Sequence, residues 1–163
     1  MKTYTWTRGE YTVTTDLSKV DLEKAALLFR DDGWSIQDRP VDVTISAFKH
    51  SITFFCLHGE EPVATVRLVT DFTTVAYAAD MIVKKEYRGR GLSKFVFECI
   101  FEVPVFKHMR RINLQTPDAH GLYARYGFNP VAHPEEMMER LCSYEEAYAS
   151  FRENRDAGII DGE

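Results

Sequence analysis

Residues 2–15 alternate apolar and polar side chains on either side of Arg8-Gly9-Glu10, a pattern that predicts two short strands joined by a turn. Asp16 or Ser18 can cap a helix that follows, with Val20, Ala25, Leu27 and Leu28 forming its apolar face to about residue 30. Asp31-Asp32-Gly33-Trp34 reads as a helix exit, and a second helix is predicted after Pro40, with Val41, Ile45 and Phe48 on one side. Three strands are predicted at residues 52–57, 63–69 and 75–84, separated by His58-Gly59-Glu60-Glu61-Pro62 and by a turn at 71–74. The next helix has the clearest pattern: Leu92, Phe95, Val96, Cys99, Ile100 and Val103 make a full apolar stripe, and Pro104 ends it. Residues 111–115 form a short strand that can lie parallel to the 75–84 strand through a helical crossover. Asp118 opens a helix that Gly127 stops, and residues 128–132 can be a last strand. Residues 134–140 and 144–152 are charged amphipathic helical segments, and 154–163 is polar and expected to fray.

The 163 residues suit one domain with a sizeable core, and 45% hydrophobic with 28% charged residues fits a soluble globular protein. A net charge of −5 argues against a general nucleic-acid binder, although residues 84–94 form a local basic patch. No apolar run approaches the length that spans a bilayer, and Met1-Lys2-Thr3-Tyr4-Thr5-Trp6 lacks the apolar stretch of a signal peptide. The expectation is a cytoplasmic protein with neither a nucleic-acid nor a membrane partner. Cys56, Cys99 and Cys142 are far apart and odd in number, which fits neither a disulfide framework nor a zinc site. No metal is expected, and the thiols are read as packing residues.

Val83-Lys84-Lys85-Glu86-Tyr87-Arg88-Gly89-Arg90-Gly91-Leu92-Ser93 is a strand end, a basic glycine turn and a helix start in succession. Two glycines one residue apart let several N–H groups point the same way. The helix adds its unpaired N–H groups and the positive end of its dipole, so a phosphate or pyrophosphate fits there. Arg88 and Arg90 add charge. A P-loop would need Gly-x-x-x-x-Gly-Lys-Ser/Thr, which is absent, and a dinucleotide fingerprint would need a glycine where Lys94 stands.

Glu86-Tyr87-Arg88-Gly89-Arg90-Gly91 resembles the Gln/Arg-x-x-Gly-x-Gly/Ala pyrophosphate loop of the GNAT superfamily of N-acetyltransferases. Asp80-Met81-Ile82-Val83 resembles that family's fourth strand, and Ala119-x-x-x-Tyr123-x-x-Tyr126-Gly127-Phe128 its second signature. The segment 118–128, with Trp34, Arg39-Pro40 and Val69-Thr70-Asp71, is similar to one bacterial subgroup, and the likeness spans roughly residues 20–140. Glu86, Ser93 and Thr116 depart from the usual Gln or Arg, Gly and Asn. The resemblance implies an α+β (mixed α/β) fold: a central, mostly antiparallel sheet with one parallel, splayed strand pair, flanked by helices. Residues 1–141 would be the acetyltransferase domain and 142–163 a helical tail.

The resemblance also implies acetyl-coenzyme A as cosubstrate and a small amine as acceptor, joined by direct transfer in a ternary complex. The coenzyme would lie where the strands ending near Val83 and Gln115 splay. Met81, Ile82 and Val83 would meet its pantetheine arm and thioester; Arg88, Gly89, Arg90, Gly91, Leu92, Ser93 and Lys94 its pyrophosphate; Asp118 and Tyr123 would complete the coenzyme site. An N–H aimed at the thioester oxygen stabilises charge that develops there. Tyr123 is the candidate general acid for the departing thiolate; otherwise it is a helix tyrosine packed beside Phe128. Asp80, or Tyr77 through water, is a candidate base, and Asp80 could instead satisfy backbone donors at a strand distortion. His120 is either a further base or a surface residue near a helix start. Trp34, Arg39 and Tyr77 are the acceptor candidates: Trp34 as a stacking wall or a loop anchor, and Arg39 as a partner for a substrate carboxylate or a solvated charge. A non-catalytic acyl-coenzyme A sensor is the competing reading. Met137, Met138, Leu141 and Tyr144 in the tail could pack on the domain or at a dimer contact, leaving monomer and homodimer both open.

Overall fold

A computed structural model describes residues 2–30 and 38–160, so Trp34 lies outside the described residues. Six strands form one sheet in chain order: β1 (Thr5–Arg8), β2 (Tyr11–Thr14), β3 (Ile52–His58), β4 (Glu61–Thr70), β5 (Val75–Val83) and β6 (Arg111–Leu114). The first five pair antiparallel, and β5 with β6 parallel. Antiparallel neighbours need only tight turns, whereas the parallel step takes a crossover, here through α3 (Leu92–Glu102) and α4 (Pro104–Lys107). The mixed fold with one parallel pair is the one expected from the sequence.

The sheet is buried on both faces at its centre. Phe55, Leu57 and Ile82 pack with Ala25, Ala26 and Leu28 around α1 (Leu22–Leu27) and with Phe48 of α2 (Val41–Lys49). Strand alternation sends Phe54 the other way, where its ring centroid lies 6.3 Å from that of Phe106 in α4. Leu92, Phe95, Val96, Cys99, Ile100 and Val103 are all buried, as their stripe predicts. Double-sided burial explains why 52–57 is a nearly unbroken apolar run.

Three local differences from the sequence pattern have physical causes. Asp16 caps only a 3-10 turn at Leu17–Lys19, and Asp21 caps α1 by accepting from the Lys24 N–H at 3.0 Å. Two successive aspartates each capture free N–H groups and split the single helix expected there. Leu27 is consequently 44% exposed, while Leu28 and Phe29 turn inward. Pro104 ends α3 but also starts α4, because its fixed φ and missing N–H suit a first helical position.

The chain forms two compact units, residues 1–115 and 116–163. In the second, α5 (His120–Ala124) is shorter than expected and has Ala119, not Asp118, at its N-cap. Residues 128–132 are not a strand. Phe128 N–H donates to the Tyr123 carbonyl at 3.3 Å, Asn129 Nδ2 donates to the Gly127 carbonyl, and Pro130 has no N–H to pair. Residues 134–140 hold one 3-10 turn, Pro134–Glu136, and α6 (Tyr144–Asp156) begins at a capping box between Ser143 and Glu146. Met138 is 97% and Leu141 78% exposed.

Candidate active site

The registers of β5 define the site. Against β6 it pairs only from Val75↔Arg111 to Ala78↔Leu114. Residues 79–83 run on without a strand partner on that edge among the described residues. Against β4, Arg67 pairs with Ala79 and Thr65 with Ile82, so Asp80 and Met81 together oppose Val66 alone. That is a β-bulge, and it bends the strand where the β6 pairing stops. Asp80 carries the distortion at φ 56, a left-handed conformation that aspartate tolerates better than most residues. An open strand edge with unpaired amide groups is the form that a pantetheine arm, itself a chain of amides, can pair with. Ile82 is 5% exposed, so only its backbone is available to a ligand.

Asp80 is the centre of an ion-pair network. Arg39 donates Nη2 to Oδ2 at 2.8 Å and Nη1 to Oδ1 at 3.4 Å, and its Nε donates to Thr44 Oγ1 at 3.0 Å. Arg67 donates Nε to Asp80 Oδ2 at 2.5 Å. The side chains of Asp80, Arg39 and Arg67 are 8%, 10% and 18% exposed. Burial pushes the Asp80 carboxyl up, but the two guanidiniums outweigh it and hold the group below the usual carboxylate range. A carboxylate so held is a weak proton acceptor near neutral pH. The strand-distortion carboxylate is therefore satisfied by two arginines rather than by backbone donors. Arg39, read from sequence as a ligand for an acceptor carboxylate, already spends its fork on Asp80. The Arg39 guanidinium also lies 5.1 Å from the Phe29 ring centroid.

The glycine turn leads from β5 through a 3-10 turn, Lys85–Tyr87, into α3. Gly89 and Gly91 have φ 75 and 76, and a Cβ at either would meet nothing within 4 Å. Glycine is thus required for backbone conformation, not for space. Gly91 is the N-cap of α3 and makes no side-chain cap bond. The N–H groups of Gly89, Arg90, Gly91, Leu92 and Ser93 have no acceptor among the described residues. Those donors at a helix N-terminus match a pyrophosphate. Leu92 is 4% exposed, so its contribution is the amide alone.

The basic side chains around this turn are mostly tied to the protein. Arg90 donates to Tyr11 Oη at 3.2 Å and to the Glu86 carbonyl at 3.1 Å, with its guanidinium 4.9 Å from the Tyr87 ring centroid. Arg88 Nε donates to the Val83 carbonyl, Lys84 pairs with Glu61 and Lys94 with Glu98. Tyr87 Oη donates to Glu61 at 3.1 Å and lies 3.2 Å from His58 Nδ1, which fixes the turn to the β3–β4 hairpin. Tyr77 is 39% exposed on β5.

In the second unit Tyr123 is buried in α5, with the Phe128 ring edge-on at 5.9 Å. Burial, and then the charge of Asp118, raise its pKa, so it is a neutral phenol that can give up a proton. His120 and Asp118 are exposed.

A model described as an acetyltransferase (GNAT) domain matches residues 49–130. A protein of Gibberella zeae named as an acetyltransferase, FG08082, is 30% identical over 145 residues, 76% of this chain and 81% of that protein. The chain belongs to the GNAT acetyltransferase family. A crystal structure from Xanthomonas campestris, described as an acetyltransferase of the GNAT family, is 37% identical with a TM-score of 0.76, covering 81% of this chain and 93% of that one. A Clostridium acetobutylicum protein described with acetyl-CoA has a TM-score of 0.56 at 14% identity, over 80% of this chain and 94% of that one, a likeness of fold. This GNAT chain is therefore an acyl-transferring enzyme of a family that uses acetyl-coenzyme A, with β3 to β6 and the glycine turn lying inside the matched residues. Among the described residues no helix is long and apolar enough to cross a membrane.

Arg67 was not visible as a site residue from the GNAT motifs. Its signal was a single charge inside Val63-Ala64-Thr65-Val66-Arg67-Leu68-Val69, a position that demands a buried partner. Glu61 and His58, which anchor Tyr87, sit in a turn-like segment that carried no such signal.

Proposed function

We propose that this enzyme transfers the acetyl group of acetyl-coenzyme A directly to a primary amine of a small molecule or peptide. The observation that carries this reading is the row of unpaired amides from Gly89 to Ser93, at the end of a strand whose edge is open over residues 79–83. The coenzyme supplies an activated acyl thioester and a thiol leaving group. The turn amides hold its diphosphate, and the open β5 edge around Met81, Ile82 and Val83 aligns the pantetheine arm. Catalysis is chiefly the placing of two reactants together. In the transfer a C–N bond forms and the C–S bond breaks; the amine nitrogen loses a proton, and the sulfur gains one. Tyr123 supplies the sulfur's proton and is reprotonated from water. His120 and Tyr77 are the groups left to receive the amine's proton, because Asp80 is committed to its arginines. Residues 1–141 act as the catalytic domain, and 142–163 as an appended helical tail.

Cys56 and Cys99 are buried with their thiols pushed up to about 12, so neither serves as an acyl-carrying nucleophile at neutral pH. Calorimetry with coenzyme A and thiol release with acetyl-coenzyme A and a panel of amines test the reading. Tyr123→Phe is expected to lower turnover about 10²- to 10⁴-fold with little change in coenzyme affinity. Unchanged turnover removes the acid role, and absence of any heat with coenzyme A removes the whole reading.

A further inference from the structure

Arg67 is only partly used by the network that holds it. Its Nε is fixed on Asp80, while Nη1 and Nη2 make no hydrogen bond or ion pair with any described residue. Arg39 has no such edge, since Nε, Nη1 and Nη2 all have protein partners. Among the described residues the two guanidiniums share one carboxylate, which leaves the cluster one positive charge in excess on side chains that are at most 18% exposed. A charge so placed, in a chain whose net charge is −5, calls for an anion. Its location is specific. Arg67 pairs with Ala79, the residue just before the bulge, where β5 leaves β6 and the open edge begins. Adjacent strands are about 4.8 Å apart and rise about 3.3 Å per residue, so the Arg67 backbone stands roughly 8 Å from the backbone at Met81.

Resting on the acetyl-transfer reading above, we infer that the outer Nη edge of Arg67 anchors a carboxylate of the acceptor, which is therefore an amine that carries a carboxylate, an amino-acid-like molecule. The two Nη donors form a planar pair that matches a carboxylate bidentately. One carboxylate neutralises the surplus charge, whereas a phosphate dianion would reverse it. Asp80 holds Arg67 by Nε, so it is a positioning residue that fixes the direction of the free edge. Arg39, just before α2, buttresses Asp80.

The test compares amino acids with their carboxamides, which keep the amine and remove the negative charge, using thiol release from acetyl-coenzyme A. Aminoalkyl phosphates are the third arm. The acids are expected to exceed the amides by about 10- to 100-fold in kcat/KM, the range for a charge-assisted bond. Arg67→Gln and Arg67→Lys should pull that ratio toward unity, chiefly through KM of the acid. A general structural defect lowers acid and amide alike and leaves the ratio unmoved. The ratio in the unaltered enzyme needs no variant, so a substitution that fails to fold does not block the test. Amides or aminoalkyl phosphates used as well as the acids overturn the inference while leaving acetyl transfer standing. So does coenzyme binding with no turnover of any acid in the panel. Absence of coenzyme binding overturns the acetyl-transfer reading itself.

Discussion

Replacing Asp80 with asparagine separates its charge from its shape. Asparagine is nearly isosteric and tolerates the left-handed φ of 56 that the bulge imposes, so backbone strain contributes little to the outcome. The electrostatic change is large. Two guanidiniums with side chains 10% and 18% exposed lose their shared anion. Removing one member of a buried ion pair costs about 3–5 kcal/mol, because the remaining charge is left uncompensated. The amide oxygen can still accept one N–H, and Arg67 keeps some solvent, which places the loss at about 3 kcal/mol. For a chain of this size that lowers Tm by roughly 6–12 °C.

The pH dependence has a definite sign. The folded-state pKa of Asp80 is depressed, against the push of burial, by Arg39 and Arg67. Its contribution is therefore fully present above the unfolded value of about 3.9 and is lost as pH falls through the lower folded value. Urea unfolding of wild type and Asp80→Asn at pH 7 should show the full gap, and the gap should close below about pH 4. The pH–rate profile of the variant should keep the shape of its basic limb even where the rate falls, because in the proposed mechanism Asp80 takes no proton. A gap under about 0.5 kcal/mol at pH 7, within the ordinary scatter for a surface substitution, would refute the network's role. A gap that widens toward acid would refute the sign. Loss of the basic limb would return Asp80 to the role of base.

Gly91→Ala should cost about 1–2 kcal/mol through its left-handed φ alone, since no neighbour obstructs a Cβ, and Gly91→Asn about half as much. Gly121→Ala in α5, where φ is not positive, should instead be neutral or stabilise by about 0.5–1 kcal/mol; chemical unfolding of the three variants checks the contrast. Thr65→Val should stabilise the fold by about 1 kcal/mol, because Thr65 Oγ1 is buried with no hydrogen-bond partner among the described residues, and a lower urea midpoint would contradict it.

The sheet was legible because its determinants are local. Residues 52–84 alternate or run apolar between recognisable turns, and the α3 stripe keeps a 3.6 period for eleven residues. Failures came where two local preferences competed. Asp16 and Asp21 both offer caps, and the hydrophobic pattern alone does not say that the second starts a helix of its own. The segment after Gly127 has strand-forming residues, yet Pro130 and the bond from Phe128 to the Tyr123 carbonyl hold it off any ladder. Pattern reports where an apolar side chain wants burial, not whether a backbone donor is free to pair.

The site divides in the same way. The glycine turn lies within residues 83–93, so residue types and spacing alone pointed to the anion site proposed there. The network at Asp80 joins residues 39, 67 and 80, and its meaning depends on a register that no local pattern encodes. From sequence, Asp80 and Arg39 each suggested a reacting or ligand-binding role, because a charge beside a cofactor strand looks available. Paired with each other they are not available, and what is available moves to the residue without a motif. The bulge makes this possible: one extra residue in β5 sets Asp80 where Arg67 of the neighbouring strand can reach it and, at the same place, opens the edge beyond Ala78. A single backbone irregularity thus orders the cation and exposes the amides. On the proposed mechanism, an amine tethered by a carboxylate at Arg67 would present its nitrogen beside that edge, and one irregularity would then serve both the thioester and the acceptor.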